Sequence, residues 1–162
     1  MNKRYDIIIL GGGIAAMTAA IYASKANLNA VILEKSVCGG LVNTTHLVEN
    51  FPSQPSINGM DLMDKVKDQV EEMGVEIREV IEGDKLVLEG PVKSVETDEG
   101  VLEAPVIILA TGRKPRELDI ETECEQIHYC AICDGSIYKD KNVLIVGGGN
   151  SGIEESMYLL SL

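Results

Sequence analysis

The chain has 162 residues, with 14 basic and 26 acidic side chains and a net charge of −12. An acidic surface of this kind repels phosphate backbones and anionic headgroups, which argues against nucleic acid and membrane surfaces as partners. Hydrophobic residues make up 45% of the chain, enough for a buried core, but there is no Trp and only one Phe, so aliphatic and small side chains must do the packing.

Residues 5–10 (YDIIIL) read as a short buried strand. Gly11, Gly12 and Gly13 follow at once, then IAAMTAAIYASKAN, small and apolar at helical spacing. Residues 30–34 (AVILE) are the next buried strand, completing a βαβ unit with a right-handed crossover. Residues 38–58 are a long loop rich in Gly, Asn, Thr, Ser and Pro, and loops of such length are usually functional or disordered. The following segment places Leu62, Met63, Val66, Val70 and Met73 on one stripe, an amphipathic helix that ends at Gly74.

Four β-rich runs, VEIREV, KLVL, VKSVET and VLEA, predict a small antiparallel meander over 75–104. VIILATG (106–112) is another buried strand, and 113–129 is polar and irregular. NVLIV (142–146), GGGNSG (147–152) and IEESMYLLSL (153–162) predict a second strand–turn–helix. The expected fold is α/β: a three-layer Rossmann-like domain with a small meander over 1–115, and the start of a second such domain over 116–162. No apolar run approaches the ~20 residues of a membrane span, and no leader precedes the first strand, so the expected location is the cytoplasm.

Gly11, Gly13 and Ala16 fit G-x-G-x-x-A between a strand and a helix. The first glycine permits the tight turn, the second lets backbone approach a pyrophosphate, and the small third residue lets helix and strand pack closely. The helix start offers free N–H groups and partial positive charge to phosphates. Glu34, ending the next strand, can accept hydrogen bonds from ribose hydroxyls. Gly147, Gly149 and Gly152 repeat the pattern. The pattern's charged partner would lie past Leu162, so the second ligand is not legible.

Cys130 and Cys133 form a C-x-x-C followed by Asp134. This spacing can close a small disulfide and commonly goes with a lowered thiol pKa, and a neighbouring carboxylate can move the proton that thiolate chemistry needs. Zinc is the rival reading, with Cys124, His128, Cys130 and Cys133 as ligands, although the spacing lacks the paired knuckles of common sites. Cys38 and Cys124 read as plain thiols, and His46 has no evident partner.

Four segments in order carry a resemblance. They are the Gly11–Ala16 turn with its AAIYASKANL helix, GG…VENFP over 39–52, ATG at 110–112, and CAICDG at 130–135 followed by GGGNSGIEE. Together they resemble the low-molecular-weight thioredoxin reductases, flavin-dependent pyridine nucleotide-disulphide oxidoreductases. The resemblance implies FAD, with its pyrophosphate at Gly11, Gly13, Ile14, Ala15 and Ala16 and its ribose at Glu34 and Lys35. It implies flavin-lining roles for Gly39, Gly40, Leu41 and Asn50, and for Thr111 and Gly112 at the domain's closing strand. Gly147, Gly149, Asn150, Ser151 and Gly152 would hold the pyridine nucleotide, NADPH or NADH. Cys133 becomes the flavin-side thiol, Cys130 the thiol that meets a thioredoxin-like protein, and Asp134 the acid. A homodimer is implied.

Three departures stand out. Leu41 replaces the Gln usual after the Gly pair, and the 113–129 linker is short. The return segment of the flavin domain would lie past Leu162, so the chain alone is expected to bind flavin weakly or not at all. A ferredoxin-dependent relative, with reduced ferredoxin as donor and partner, fits the unusual linker. A non-catalytic chain with a metal-binding or inert C-x-x-C is the third reading.

Overall fold

The computed structural model describes residues 3–45, 47–81, 83–114, 116–121, 124 and 126–162, with Asp84, Ile132 and Cys133 described through the backbone alone. Two compact units result, residues 1–44 with 59–113, and residues 45–58 with 114–162.

The first unit holds β1 (Lys3–Arg4), β2 (Ile7–Leu10), α1 (Ile14–Lys25), β3 (Ala30–Leu33), a 3-10 turn (Gly40–Thr44), α2 (Gly59–Glu72), β4 (Glu76–Arg78), β5 (Gly83–Val87), β6 (Lys93–Thr97), β7 (Gly100–Ala104) and β8 (Val106–Leu109). Strands pair in parallel in the order β4-β3-β2-β8, with Ile8 opposite Val31 on one side and Ile107 on the other. A second sheet runs β1-β7-β6-β5, antiparallel through β7, β6 and β5.

The unbroken IIIL and AVIL runs are explained by burial on both faces. Ile9 and Ile32 face α1 and α2, in a cluster with Ala16, Met17, Ala20, Met63 and Val70. Ile8, Val31 and Leu33 face the meander, in a cluster with Val95 and Leu102. Side chains alternate at a period of two, so each strand serves both layers. Each fully buried Ile or Val there stabilises the fold by roughly 1.5–3 kcal/mol. Along α1, Ala16, Ala20 and Ala23 are buried, and their small size lets the helix settle close to the sheet. α2 ends as its sequence predicts, with Gly74 at φ +77° and the Val75 N–H donating to the Val70 carbonyl at 3.3 Å.

One run differs from expectation. VEIREV does not join the meander: its core, β4, is the edge strand of the parallel sheet beside β3. As the strand returning from α2 it completes a second crossover, and a polar cluster fixes its edge. Glu76 accepts from Lys3 Nζ at 2.7 Å, Tyr5 Oη at 2.7 Å and Arg78 Nε at 2.9 Å, and Arg78 also pairs with Glu99 at 3.0 Å.

The second unit contains a loop closed by the bridges Val48–Ile57 and Phe51–Gln54, the short helix α3 (Ala131–Asp134), a 3-10 turn (Gly135–Tyr138) and α4 (Asn150–Leu160). The strand predicted over 142–146 is not formed. A strand exists only through a neighbour's backbone, and among the described residues none pairs with this run. Leu144 is 87% exposed and Val146 64%. The glycine turn and helix that follow do form.

Candidate functional site

Gly11 sits at φ +107°, and a β-carbon there would strike the Ala110 carbonyl at the end of β8. Only glycine can make this turn between β2 and α1 without moving the neighbouring strand. Gly13 is the N-cap of α1 at φ −80°, with no side-chain cap and no acidic residue in the first turn. A β-carbon on Gly13 would have no atom within 4 Å, so the space over the backbone is open. Ile14 is half-buried and Ala15 exposed, while Ala16 is fully buried against the sheet. An open backbone beneath an uncapped helix start is a cradle suited to a phosphate-type anion.

The loop after β3 is laced onto this turn. Gly39 N–H donates to the Gly12 carbonyl at 2.8 Å, and Gly39 itself sits at φ +122° with its α-carbon covered by the Asn43 side chain. Glu34 accepts the Gly12 N–H at 2.5 Å through Oε2, and the Ser36 N–H at 2.9 Å and Ser36 hydroxyl at 3.1 Å through Oε1. Its carboxylate is therefore oriented by the glycine turn itself. Oε1 already has two donors, which leaves Oε2 as the oxygen with an acceptor position to spare. Lys35, Gly40 and Leu41 are exposed on the same loop, and Thr111 and Gly112 are exposed beyond β8, with Gly112 at φ +67°.

Behind the loop is a group that sequence reasoning did not single out. Glu79 accepts the Cys38 N–H at 2.7 Å and pairs with Lys67 of α2 at 2.6 Å. The Lys67 ammonium, by hydrogen bonding, holds the Glu79 carboxyl below its ordinary range. Cys38 is buried, and burial first, with the Glu79 charge second, pushes its thiol up to about 12. Val80 adopts φ +58°, a left-handed conformation that is a genuine outlier for a β-branched residue. Its N–H donates to the Ser36 carbonyl at 3.1 Å, and the Ile81 N–H to the Glu34 carbonyl at 3.1 Å. Nothing in the sequence marked these residues except Cys38's place beside Gly39 and Gly40.

In the second unit, the turn at 147–152 repeats the backbone of the first. Gly147 lies at φ +132°, and Gly149 caps α4 at φ −81°, again with no side-chain cap and no acid in the first turn. A β-carbon on Gly152 would strike the Gly147 carbonyl. Asn150 and Ser151 are exposed on the first turn of α4. Asn50 is exposed in the 45–58 loop of the same unit.

Cys130 is disulfide-bonded, and Ala131, which follows it, opens α3. The predicted flavin-side thiol, Cys133, has its side chain outside the described residues, as does the whole of His46. The Ala131 N–H donates to Glu155 of α4 at 3.1 Å, and Gly135 is buried, with Leu159, Leu162 and Tyr158 crowding its α-carbon. Asp134 Oδ2 lies 3.3 Å from His128 Nδ1, and His128 Nε2 lies 2.8 Å from Tyr138 Oη. Of the rival zinc ligands, Cys130 is thus in a disulfide and both ring nitrogens of His128 have partners. Among the described residues no three His, Cys, Asp or Glu side chains converge as a metal site, and no helix is long and apolar enough to cross a membrane.

The sequence pattern of the pyridine nucleotide-disulphide oxidoreductase family matches residues 5–162. The chain is 40% identical over 162 residues to the "34.2 kDa protein in rubredoxin operon" of Clostridium pasteurianum, covering 98% of this chain and 53% of that one. It is 40% identical over 167 residues to the thioredoxin reductase of Listeria monocytogenes, covering 98% of this chain and 50% of that one. The crystal structure of thioredoxin reductase from Streptococcus pyogenes matches at a TM-score of 0.87 and 38% identity, over 99% of this chain and 54% of that chain. The chain spans about half the length of the curated relatives it matches. With both glycine turns built alike and the family pattern running nearly from end to end, the chain belongs to the pyridine nucleotide-disulphide oxidoreductases.

Proposed function

We propose that the chain is the flavin-binding and redox-active portion of a thioredoxin reductase-like enzyme that reduces a thioredoxin-like protein, with NAD(P)H as donor. The observation that carries this reading is the disulfide at Cys130 beside Asp134, in a chain whose first strand and helix form an open anion cradle. Residues 1–115 supply the flavin-domain segment, and 116–162 the redox pair and the start of the nucleotide domain.

Gly11, Gly13, Ile14, Ala15 and Ala16 hold the FAD pyrophosphate at the uncapped start of α1, and Glu34 takes a ribose hydroxyl. When bound, the flavin supplies two electrons, which is what opening one disulfide requires. Cys130, once reduced, attacks the partner's disulfide as a thiolate: a Cys130–partner bond forms, the partner's bond breaks, and the departing partner thiolate takes a proton from Asp134. Cys133 then attacks Cys130, releasing the second partner thiol and closing the disulfide again. The partner gains two electrons from the Cys130–Cys133 pair and two protons, one from Asp134 and one from Cys133. A pyridine nucleotide donor is favoured over ferredoxin because the Gly147–Gly152 turn shares the backbone form of the Gly11–Ala16 turn. The same reading takes the working protein as a cytoplasmic homodimer.

The test is NADPH oxidation, in the presence of a thioredoxin, by the flavin-loaded enzyme of which this chain is a portion. Cys130→Ser should abolish partner reduction while leaving the flavin bound. Undiminished partner reduction by Cys130→Ser refutes the proposal, and flavin bleaching by reduced ferredoxin but not by NADPH reassigns the donor.

A further inference from the structure

His128 sits where a polar surface residue would ordinarily have water on at least one ring nitrogen, yet both nitrogens are engaged. Nδ1 lies 3.3 Å from Asp134 Oδ2, Nε2 lies 2.8 Å from Tyr138 Oη, and the Tyr138 ring packs edge-on against the imidazole at a centroid distance of 5.3 Å. The side chains of His128 and Asp134 are 33% and 23% exposed, so the pair is partly sheltered from solvent. The three groups come from different pieces of chain: the linker before Cys130, the end of α3 and the end of the following 3-10 turn. Neither a helix nor a strand period brings 128, 134 and 138 together; only the turn at Asp134–Gly135 does. The charged and titratable groups approaching from α4 are Glu155, taken by the Ala131 N–H, and Tyr158, against Gly135.

We propose that His128 is a proton-relay and positioning residue for Asp134, linking it through Tyr138 to solvent during disulfide exchange at Cys130; this rests on the roles given to Cys130 and Asp134 above. Cys130 thiolate attacks a disulfide, the new bond forms and the old one breaks, and the leaving thiolate takes the Asp134 proton. Asp134 is reprotonated from His128 Nδ1, His128 recovers a proton at Nε2 from the Tyr138 hydroxyl, and Tyr138 recovers one from water. Along the relay no electrons move; the net transfer is one proton from solvent to the leaving thiolate. The ring works only because each nitrogen has its own neighbour, one to give to and one to take from.

The leaving group provides the test. Hydroxyethyl disulfide releases an alkyl thiolate that needs a proton, whereas an aromatic nitrobenzoate disulfide releases a stable thiolate that needs none. The full chain is reduced, desalted and mixed with each, and exchange at Cys130 is followed by quenching and mass mapping, with Cys130→Ser as background. His128→Gln and Tyr138→Phe should each lower the alkyl-to-aromatic rate ratio about ten-fold, part of the 10²–10⁴ that direct general-acid catalysis supplies. Tyr138→Phe keeps the ring packing, so a fold defect cannot mimic its effect. If both rates fall together, or the ratio does not move, His128 is structural and the relay is overturned while the redox reading stands. If the wild-type chain exchanges at Cys130 with neither probe, the redox reading itself fails and takes the relay with it.

Discussion

The sulfur of Cys38 lies 2.5 Å from the point at which Gly12 would carry a β-carbon. The glycine turn and the loop after β3 are therefore packed against one another, with no room for a methyl group between them. Gly12→Ala should destabilise the protein by about 1–3 kcal/mol, the usual range for overpacking. Gly13→Ala should change stability by no more than about 0.5 kcal/mol, because its backbone is ordinary and its surroundings open. Yet Gly13→Ala should be the variant that loses flavin, since its methyl group occupies the cradle. Urea unfolding of both, and FAD titration of both in protein whose wild type binds FAD, check the pair; equal FAD affinity of Gly13→Ala and wild type would remove the pyrophosphate from this turn.

Cys38 should be inert in the folded protein. It is buried, and its thiol is pushed up to about 12, so almost no thiolate exists at neutral pH. Mass-mapped alkylation of the native protein should modify exposed Cys124 while sparing Cys38. Labelling of Cys38 as fast as Cys124 would contradict the packing described.

A pH dependence follows from Glu76. Burial pushes its carboxyl up, but hydrogen bonds from Lys3, Tyr5 and Arg78, with the Arg78 charge, outweigh burial and hold it down to about 2. A folded-state value below the ordinary 4.5 means that ionised Glu76 stabilises the fold above that pH. This contribution is lost as pH falls from about 4.5 towards 2. The unfolding midpoint of wild type should drop more steeply across that window than that of Glu76→Gln, and parallel pH profiles would show the cluster to be inconsequential.

Gly149 offers a matching experiment in the second unit. Its φ of −81° and empty surroundings predict that Gly149→Ala folds normally. In the flavin-loaded protein it should weaken NADPH about ten-fold or more, while flavin reduction by dithionite is unchanged. An unaltered NADPH affinity would deny that turn its nucleotide.

How far the sequence carries depends on where each interaction lies. The glycine turns were legible because their geometry is local: φ of +107° at Gly11 and +132° at Gly147 admits only glycine, and a helix opens directly after both. The three layers were legible in outline, because IIIL and AVIL are apolar on both faces. The placement of VEIREV was not, since a three-residue strand has no sequence signal that separates a parallel neighbour from a meander. The run at 142–146 has every property of a buried strand except a partner, and pairing is a property of the rest of the chain. Glu79, Lys67, Tyr138 and the paired state of His128 were invisible for the same reason: each depends on a contact made by a turn. Ser36 on Glu34 is an exception in principle, being two residues away and within reach of a short local hydrogen bond.

Val80 holds one more lesson, for anyone wishing to make the protein hardier. A branched side chain in the left-handed region is energetically uphill by about 1–3 kcal/mol, and this one is 72% exposed, with little packing to compensate. Val80→Asn, which tolerates that backbone, should raise the melting temperature without disturbing Glu34 or Ser36. A natural sequence that keeps valine there has left an improvement unused, one substitution away.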